Sequence, residues 1–254
     1  SSPRINYLLY GGLPKNRLIE FSGDEGAGKT TAALDIIANF QKEYPKEKVA
    51  FIDCENTLDE KWATKLNVNV PKLIILKPQE ETAEDIFQIV RDLVDTGEFG
   101  LVVIDSFGVM MSQEEYDKDM DKSTIGGIAK PLTRFAKDMV LKCRKYNCTL
   151  LGINQFRDKV SVYNGGKTTV GGRGWKHNCS VRMEFSKSSM IDADGKEINR
   201  NSDSPKGHLI QARIVKNKIC PSDRPLGFCT LQYGYGIDWL SDMIDVAKIY
   251  KIVH

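Results

Sequence analysis

The chain has 254 residues, 41% hydrophobic and 28% charged, with a formal net charge of +2. These values fit one large globular domain and exclude a disordered, collagen-like or globally basic chain. No apolar run is long enough to span a membrane. Any nucleic-acid contact must therefore come from local patches of charge.

Residues 1–16 read as a lead-in segment without a secretory pattern, ending in the turn Gly11-Gly12-Leu13-Pro14. The six cysteines are scattered, with no CxxC pair and no zinc-type spacing to the three histidines. Reduced thiols and a cytoplasmic setting are expected. An apolar strand over 17–22 leads into Gly23-Asp24-Glu25-Gly26-Ala27-Gly28-Lys29-Thr30-Thr31. This fits the P-loop pattern: two glycines bracket four residues, then Lys and Thr follow. A helix over 31–41 comes next, with Leu34, Ile37 and Ala38 on helical spacing. Strand, glycine-rich turn and helix start aim free backbone N–H groups and a positive dipole end at one point, which suits polyphosphate. Lys29 is expected to reach the phosphates and Thr30 to ligate Mg2+.

Further strands are expected at Lys48–Asp53, Leu73–Leu76, 101–104 and 149–153. They alternate with helices at 58–66, 82–95 and 130–146. Thr82 and Asp85 form a capping-box pattern. Alternating helices and apolar strands predict an α/β fold, a twisted, mostly parallel sheet with helices on both faces. Glu55, Asp105 and Gln155 each follow a strand, so they should meet the P-loop at one sheet edge. Asp105 closes a Walker-B-like LVVID run, suited to the Mg2+ shell. Glu55 is the candidate general base, with a surface carboxylate as the alternative.

After Gln155 the texture changes. Residues 156–174 lack periodicity and hold five glycines and several basic side chains. Antiparallel strands are expected at 180–187, 208–216 and 227–232. A hairpin tip at 192–205 and a closing helix over 238–252 complete the chain.

GDEGAGKTT, FIDCENTLDEKWATKLNV, LVVIDS, INQFRDKV, TTVGGRG, SVRMEF, VKNK and YGYGID occur in this order. The set resembles the ATPase core of the bacterial RecA-type homologous recombinases over nearly the whole chain. The resemblance implies a single RecA-like core domain over 1–254 that uses ATP and Mg2+. It implies a DNA-dependent ATPase that assembles head to tail as a filament on single-stranded DNA and exchanges strands with homologous duplex. Glu55 takes the catalytic glutamate position, with Lys29, and Gln155 that of the γ-phosphate switch. Trp62 takes the place that stacks on adenine, Asp59 that near the adenine amino group, and Tyr233 a further nucleotide contact. Lys216 and Lys218 match a pair reaching the neighbouring subunit's ATP.

The resemblance makes 113–127 and 156–174 the two DNA-binding loops. Ile125, Lys130, Arg157, Lys159, Val160, Tyr163, Lys167, Gly171, Gly172 and Arg173 are the implied DNA contacts. Charge and close glycine backbone suit phosphates, and Tyr163 either stacks on a base or packs. The chain departs from the family at Phe156 and Lys130, and in the acidic Glu114, Glu115, Asp117, Asp119 and Asp121 of the first loop. The family's N-terminal docking element and C-terminal DNA-gathering domain have no counterpart in these residues, so assembly is expected to rest on the core interface. A RecA-fold ring ATPase and a barely hydrolysing paralogue acting as a DNA-binding mediator are the alternative readings.

Overall fold

A strand that is apolar throughout must be covered on both faces, and helices placed between such strands supply the cover. The computed structural model has this arrangement; it describes residues 2–118, 127–158, 166–199 and 204–253. The first half runs α1 (Pro3–Leu8), β1 (Leu18–Gly23), α2 (Lys29–Glu43), β2 (Lys48–Asp53), α3 (Glu60–Lys65), β3 (Leu73–Leu76), α4 (Ala83–Asp95) and β4 (Phe99–Asp105). Next come α5 (Gln113–Tyr116), α6 (Ala129–Lys145), β5 (Thr149–Asp158), β6 (Lys167–Thr169) and α7 (Gly172–Asn178). The chain closes with β7 (Val181–Ile191), β8 (Glu197–Ile198), β9 (Gly207–Asn217), β10 (Leu226–Gln232), β11 (Gly236–Ile237) and α8 (Trp239–Ile249).

The strands form one sheet in the order β11-β10-β9-β7-β1-β5-β4-β2-β3, with β6 joined to β5 and β8 to β7. Pairings from β3 across to β7 are parallel, and those among β7, β9, β10 and β11 are antiparallel. Burial follows this division. β4 is buried at every position, whereas β10 alternates. Successive side chains of β4 serve opposite faces, as a period of two requires. Leu101 and Val103 join Leu34 and Ile37 of α2 in one core. Val102 and Ile104 join Val90 of α4 and Leu132 and Met139 of α6 in the other. At the start of α4, Thr82 and Asp85 form the expected reciprocal capping box.

Several short elements were not legible in the sequence, α1, α5, β6, α7 and β11 among them. The lead-in carries α1, only six residues long, too short to show periodicity and held by packing. Ser2 caps it and hydrogen-bonds Asp242 of α8, while Ile5 and Leu8 are buried. Arg224 stacks 4.2 Å from the Tyr7 ring and 3.7 Å from that of Tyr10. The 156–174 stretch is also more ordered than its glycines suggest. β5 continues to Asp158 and pairs antiparallel with β6. Gly171, at φ +89°, then caps α7, where a Cβ would lie 2.2 Å from Leu132 Cδ2. All six cysteines are free. Among the described residues no helix is long and apolar enough to cross a membrane.

Candidate functional site

Parallel register brings the strand ends together. Gly23 is paired with Gln155, and Asp53 with Asp105, so the turns after β1, β2 and β4 share the carboxyl edge of the sheet with Gln155, which lies within β5 and not, as expected, after it. β1 lies between β5 and β7, where helices can leave on opposite faces and open a crevice. A cavity of about 480 Å³ occupies this edge. Its lining includes Glu25 to Thr31, Glu55, Asp105 and Gln155.

The glycine-rich turn delivers the start of α2 into this cavity. Gly28 caps the helix at φ +88°, a conformation that L side chains rarely adopt. A Cβ there would also lie 2.5 Å from Ile210 Cδ1. The first N–H groups of α2 lack partners within the helix, so they present a positive end. Lys29 is 8% exposed and donates to the carbonyls of Asp24 at 2.7 Å and Gly23 at 3.1 Å. Burial lowers its pKa against the pull of Asp105 and Glu55.

Thr30 Oγ1 donates to Asp105 Oδ2 at 2.6 Å. Burial pushes the Asp105 carboxyl up to about 6; Glu55 adds to this, and the Thr30 hydrogen bond and Lys29 oppose it. The Asp105–Ser106 peptide is cis. Glu55 is set beside Asp105 by the backbone: the N–H groups of Cys54 and Glu55 donate to the Asp105 carbonyl at 2.7 and 3.3 Å. The Asp53 carboxylate then holds the turn by accepting from Thr57 and Leu58 N–H. Glu55 Oε1 accepts from Gln155 Nε2 at 2.7 Å and from Ser106 Oγ at 2.5 Å. Ser106 was not singled out in the sequence; only its place after Asp105 could have marked it.

The cavity is also lined by Trp62 of α3, Leu231 to Gly234, and His208 of β9. Trp62 and Tyr233 are therefore brought to the cavity as expected. Asp59 is not among its lining residues; it caps α3, accepting from Lys61 and Trp62 N–H. His208 was missed, because one histidine in a strand carries no motif.

The expected DNA-contact residues distribute around β5 and α7. Ile125, Lys159, Val160 and Tyr163 lie outside the described residues. Arg157 donates to the Gly108 carbonyl at 2.8 Å. Lys167 straddles both carboxylate oxygens of Asp24 in the P-loop, at 2.6 and 2.7 Å. Gly172 and Arg173 open the exposed first turn of α7 after Gly171. Lys130 lines a separate cavity of about 840 Å³ with Glu84 and Glu114. Lys216 and Lys218 do not line the P-loop cavity. Lys216 Nζ instead holds the carbonyls of Lys176 and His177, at 2.6 and 2.8 Å, at the end of α7.

A buried polar set connects these parts. Asn154 Nδ2 donates to Glu20 Oε1 at 3.0 Å and to the Val170 carbonyl at 2.9 Å. Its Oδ1 accepts from the N–H groups of Gln155 and Val170. Glu20, fully buried, also accepts from Arg182 Nε. Arg182 in turn pairs with Lys216 across β7 and β9.

Comparison with known proteins fits this geometry. The RecA N-terminal domain family matches residues 5–238. Protein RecA of Clostridioides difficile is 36% identical over 244 residues, covering 96% of this chain and 66% of that protein. Protein RecA of Chloroherpeton thalassium is 35% identical over 251 residues, covering 98% and 67%. The chain thus spans about two thirds of the length of these curated relatives. The crystal structure of the RadB recombinase superposes with a TM-score of 0.64 at 19% identity, over 92% of this chain and 95% of that one, which speaks to the fold. By motif order, fold and similarity along nearly its whole length, the chain belongs to the RecA family.

Proposed function

We propose that residues 1–254 form one ATPase core that binds ATP with Mg2+ and hydrolyses it in response to DNA. Copies assemble head to tail on single-stranded DNA and promote pairing and strand exchange with homologous duplex. One observation carries this reading: Thr30 with Asp105, and Glu55 with Gln155, are hydrogen-bonded pairs facing a single cavity at the start of α2.

The donor set fits Mg2+. A Thr hydroxyl and a carboxylate are hard oxygens, and Mg2+ keeps its other ligands from water and phosphate. Among the described residues no group of three or more His, Cys, Asp or Glu is placed to hold a metal. A site that shares phosphate oxygens needs none. Thr30 and Asp105 would hold Mg2+ there, and it would supply charge neutralisation to the bound phosphates.

The remaining work falls to side chains. Backbone N–H groups of 26–31 cradle the phosphates, and Lys29 turns from its own loop carbonyls to the β- and γ-phosphates. Glu55 orients a water in line with the γ-phosphate and takes its proton. Ser106 and Gln155 hold Glu55 until a γ-phosphate competes for the Gln155 amide. Gln155 lies on β5, whose hairpin with β6 belongs to the expected DNA loop, so this exchange couples nucleotide to DNA. Trp62 and Tyr233 bracket the nucleoside. Lys216 and Lys218 reach the next copy's phosphates from outside their own cavity.

The test measures ATP turnover against single-stranded DNA concentration, with electron micrographs of the same samples. The reading expects DNA-stimulated turnover together with helical filaments. Closed rings, or DNA binding without turnover, would instead favour a ring ATPase or a non-hydrolysing paralogue.

A further inference from the structure

His208 is 3% exposed and lines the cavity. Its Nδ1 lies 3.2 Å from the Tyr233 hydroxyl. Its Nε2 is buried and has no hydrogen-bond partner. A buried, unpartnered ring nitrogen is costly unless something bound satisfies it. Burial, with the nearby Lys187 charge, lowers the His208 pKa to about 4, so the ring is neutral at neutral pH. The Tyr233 hydroxyl also lies 3.8 Å from Met190 Sδ. In the tautomer of the neutral ring in which that hydroxyl donates to Nδ1, the ring's own proton is on Nε2, which then donates.

Strand geometry locates this donor along a bound nucleotide. His208 stands opposite Leu231 in the β9–β10 ladder, so the two side chains share a face. Ile210, two residues on, shares that face too. Ile210 Cδ1 and Leu231 Cδ1 lie 2.5 and 3.4 Å from the place of a Cβ on Gly28. This face therefore packs beneath the start of α2, where phosphates would sit. His208 lies one side-chain repeat along β9, roughly 6.6 Å, from Ile210. The displacement runs along the β9–β10 ladder toward Tyr233 and Gly234, which also line the cavity. The group that follows the phosphates in a nucleoside triphosphate is the sugar.

We propose that His208 donates through Nε2 to a hydroxyl of the bound ribose, and so selects ribonucleoside over deoxyribonucleoside triphosphates. This rests on reading the cavity as a nucleotide site. Deleting the hydroxyl leaves a buried donor unpaired, a loss of about five- to tenfold in affinity.

The test is calorimetric titration of the full chain with β,γ-imido forms of ATP, 2′-deoxy-ATP, 3′-deoxy-ATP and GTP, with Mg2+ and without DNA. The wild type should bind one of the two deoxy forms five- to tenfold more weakly than the ATP form, and that form identifies the hydroxyl. His208→Phe, first checked for an unchanged melting temperature, should bind the ATP form and both deoxy forms within about twofold of one another. His208→Gln should recover part of the discrimination, because its amide can still donate. The proposal is overturned if the ribose-to-deoxyribose ratio survives in His208→Phe, or if all three affinities fall together. It is equally overturned if adenine-over-guanine selection alone is lost. Absence of any nucleotide binding by the wild type would instead sink the nucleotide reading itself.

Discussion

Asp105 shows how one side chain ties burial to pH. Burial, with Glu55 adding to it, raises its carboxyl to about 6, and under the proposed function it shares Mg2+ in its ionised form. Mg2+-dependent nucleotide affinity should therefore be halved near pH 6, full about a unit above it, and approach a roughly tenfold fall per unit below it. Asp105→Asn should remove this component and leave only the nucleotide's own titration; an unchanged acid limb in that variant would reject the assignment. The raised pKa also means that the folded chain binds a proton between about 3.8 and 6 that the unfolded chain does not. This group thus contributes stability that grows as pH falls through that window and fades as pH rises through 6. His208 has the opposite sign: its pKa is lowered to about 4, so its contribution is lost as pH falls from about 6.5. Glu55→Gln keeps the shape and loses the base, so turnover should drop about a hundredfold or more while ATP and DNA still bind. Single-turnover kinetics alongside direct nucleotide binding separates the two. At this scale the sequence was informative wherever the chemistry needs contiguous residue types, as in Gly23 to Thr30. It was silent on Ser106 and His208, whose significance comes from neighbours distant in sequence.

Elements add constraints that no single residue carries. Gly28→Ala should disrupt the start of α2, because φ +88° is strained for an L side chain and Ile210 occupies the space. A stability loss of about 1–3 kcal/mol, seen as a lower melting temperature, should accompany loss of nucleotide binding. Retention of both would show that the turn relaxes. The β5–β6 hairpin brings Lys167 to Asp24, so the P-loop and the expected DNA loop share a charge pair. Both partners are about half exposed, at 52% and 51%, and such pairs are worth at most about 1 kcal/mol. Asp24→Ala should free the lysine and raise nucleotide-free affinity for single-stranded DNA by about two- to fivefold, an effect that salt erases. Unchanged affinity at low salt would mean that Lys167 never meets a phosphate. The parallel strands were readable from their continuous apolar runs, and β9 and β10 from their pattern. Among the missed elements, α1 and α7 are short helices whose order comes from packing: Trp175 of α7 lies fully buried against Phe107, ring centroids 4.8 Å apart.

At the scale of the whole molecule, the P-loop cavity and the Lys216 and Lys218 pair occupy separate places, which suits a site completed by a second copy. Mixing a Lys216→Ala and Lys218→Ala double variant with Lys29→Ala should recover part of the turnover, since some interfaces would then join two intact halves. No recovery at any ratio, with co-assembly verified, would reject the shared site. Arg173→Ala should flatten the salt dependence of single-strand binding by about 0.7 in log–log slope if that side chain neutralises one phosphate. Motif order made the sheet edge legible in advance, because parallel strands place their following turns on one side. The link from Gln155 to Arg182 was not legible, since Glu20, Asn154 and Arg182 look unremarkable one at a time. Seen as engineering, these side chains form a stiff bracket. Its members are hydrogen-bonded to one another, largely sealed from water, and bolted to three neighbouring strands, β5, β1 and β7. A bracket without slack transmits small displacements instead of absorbing them. Under the proposed function, the tip beside Gln155 and the tip at Arg182 on β7 are thus two ends of one lever, pivoting on the Glu20 carboxylate beneath the P-loop.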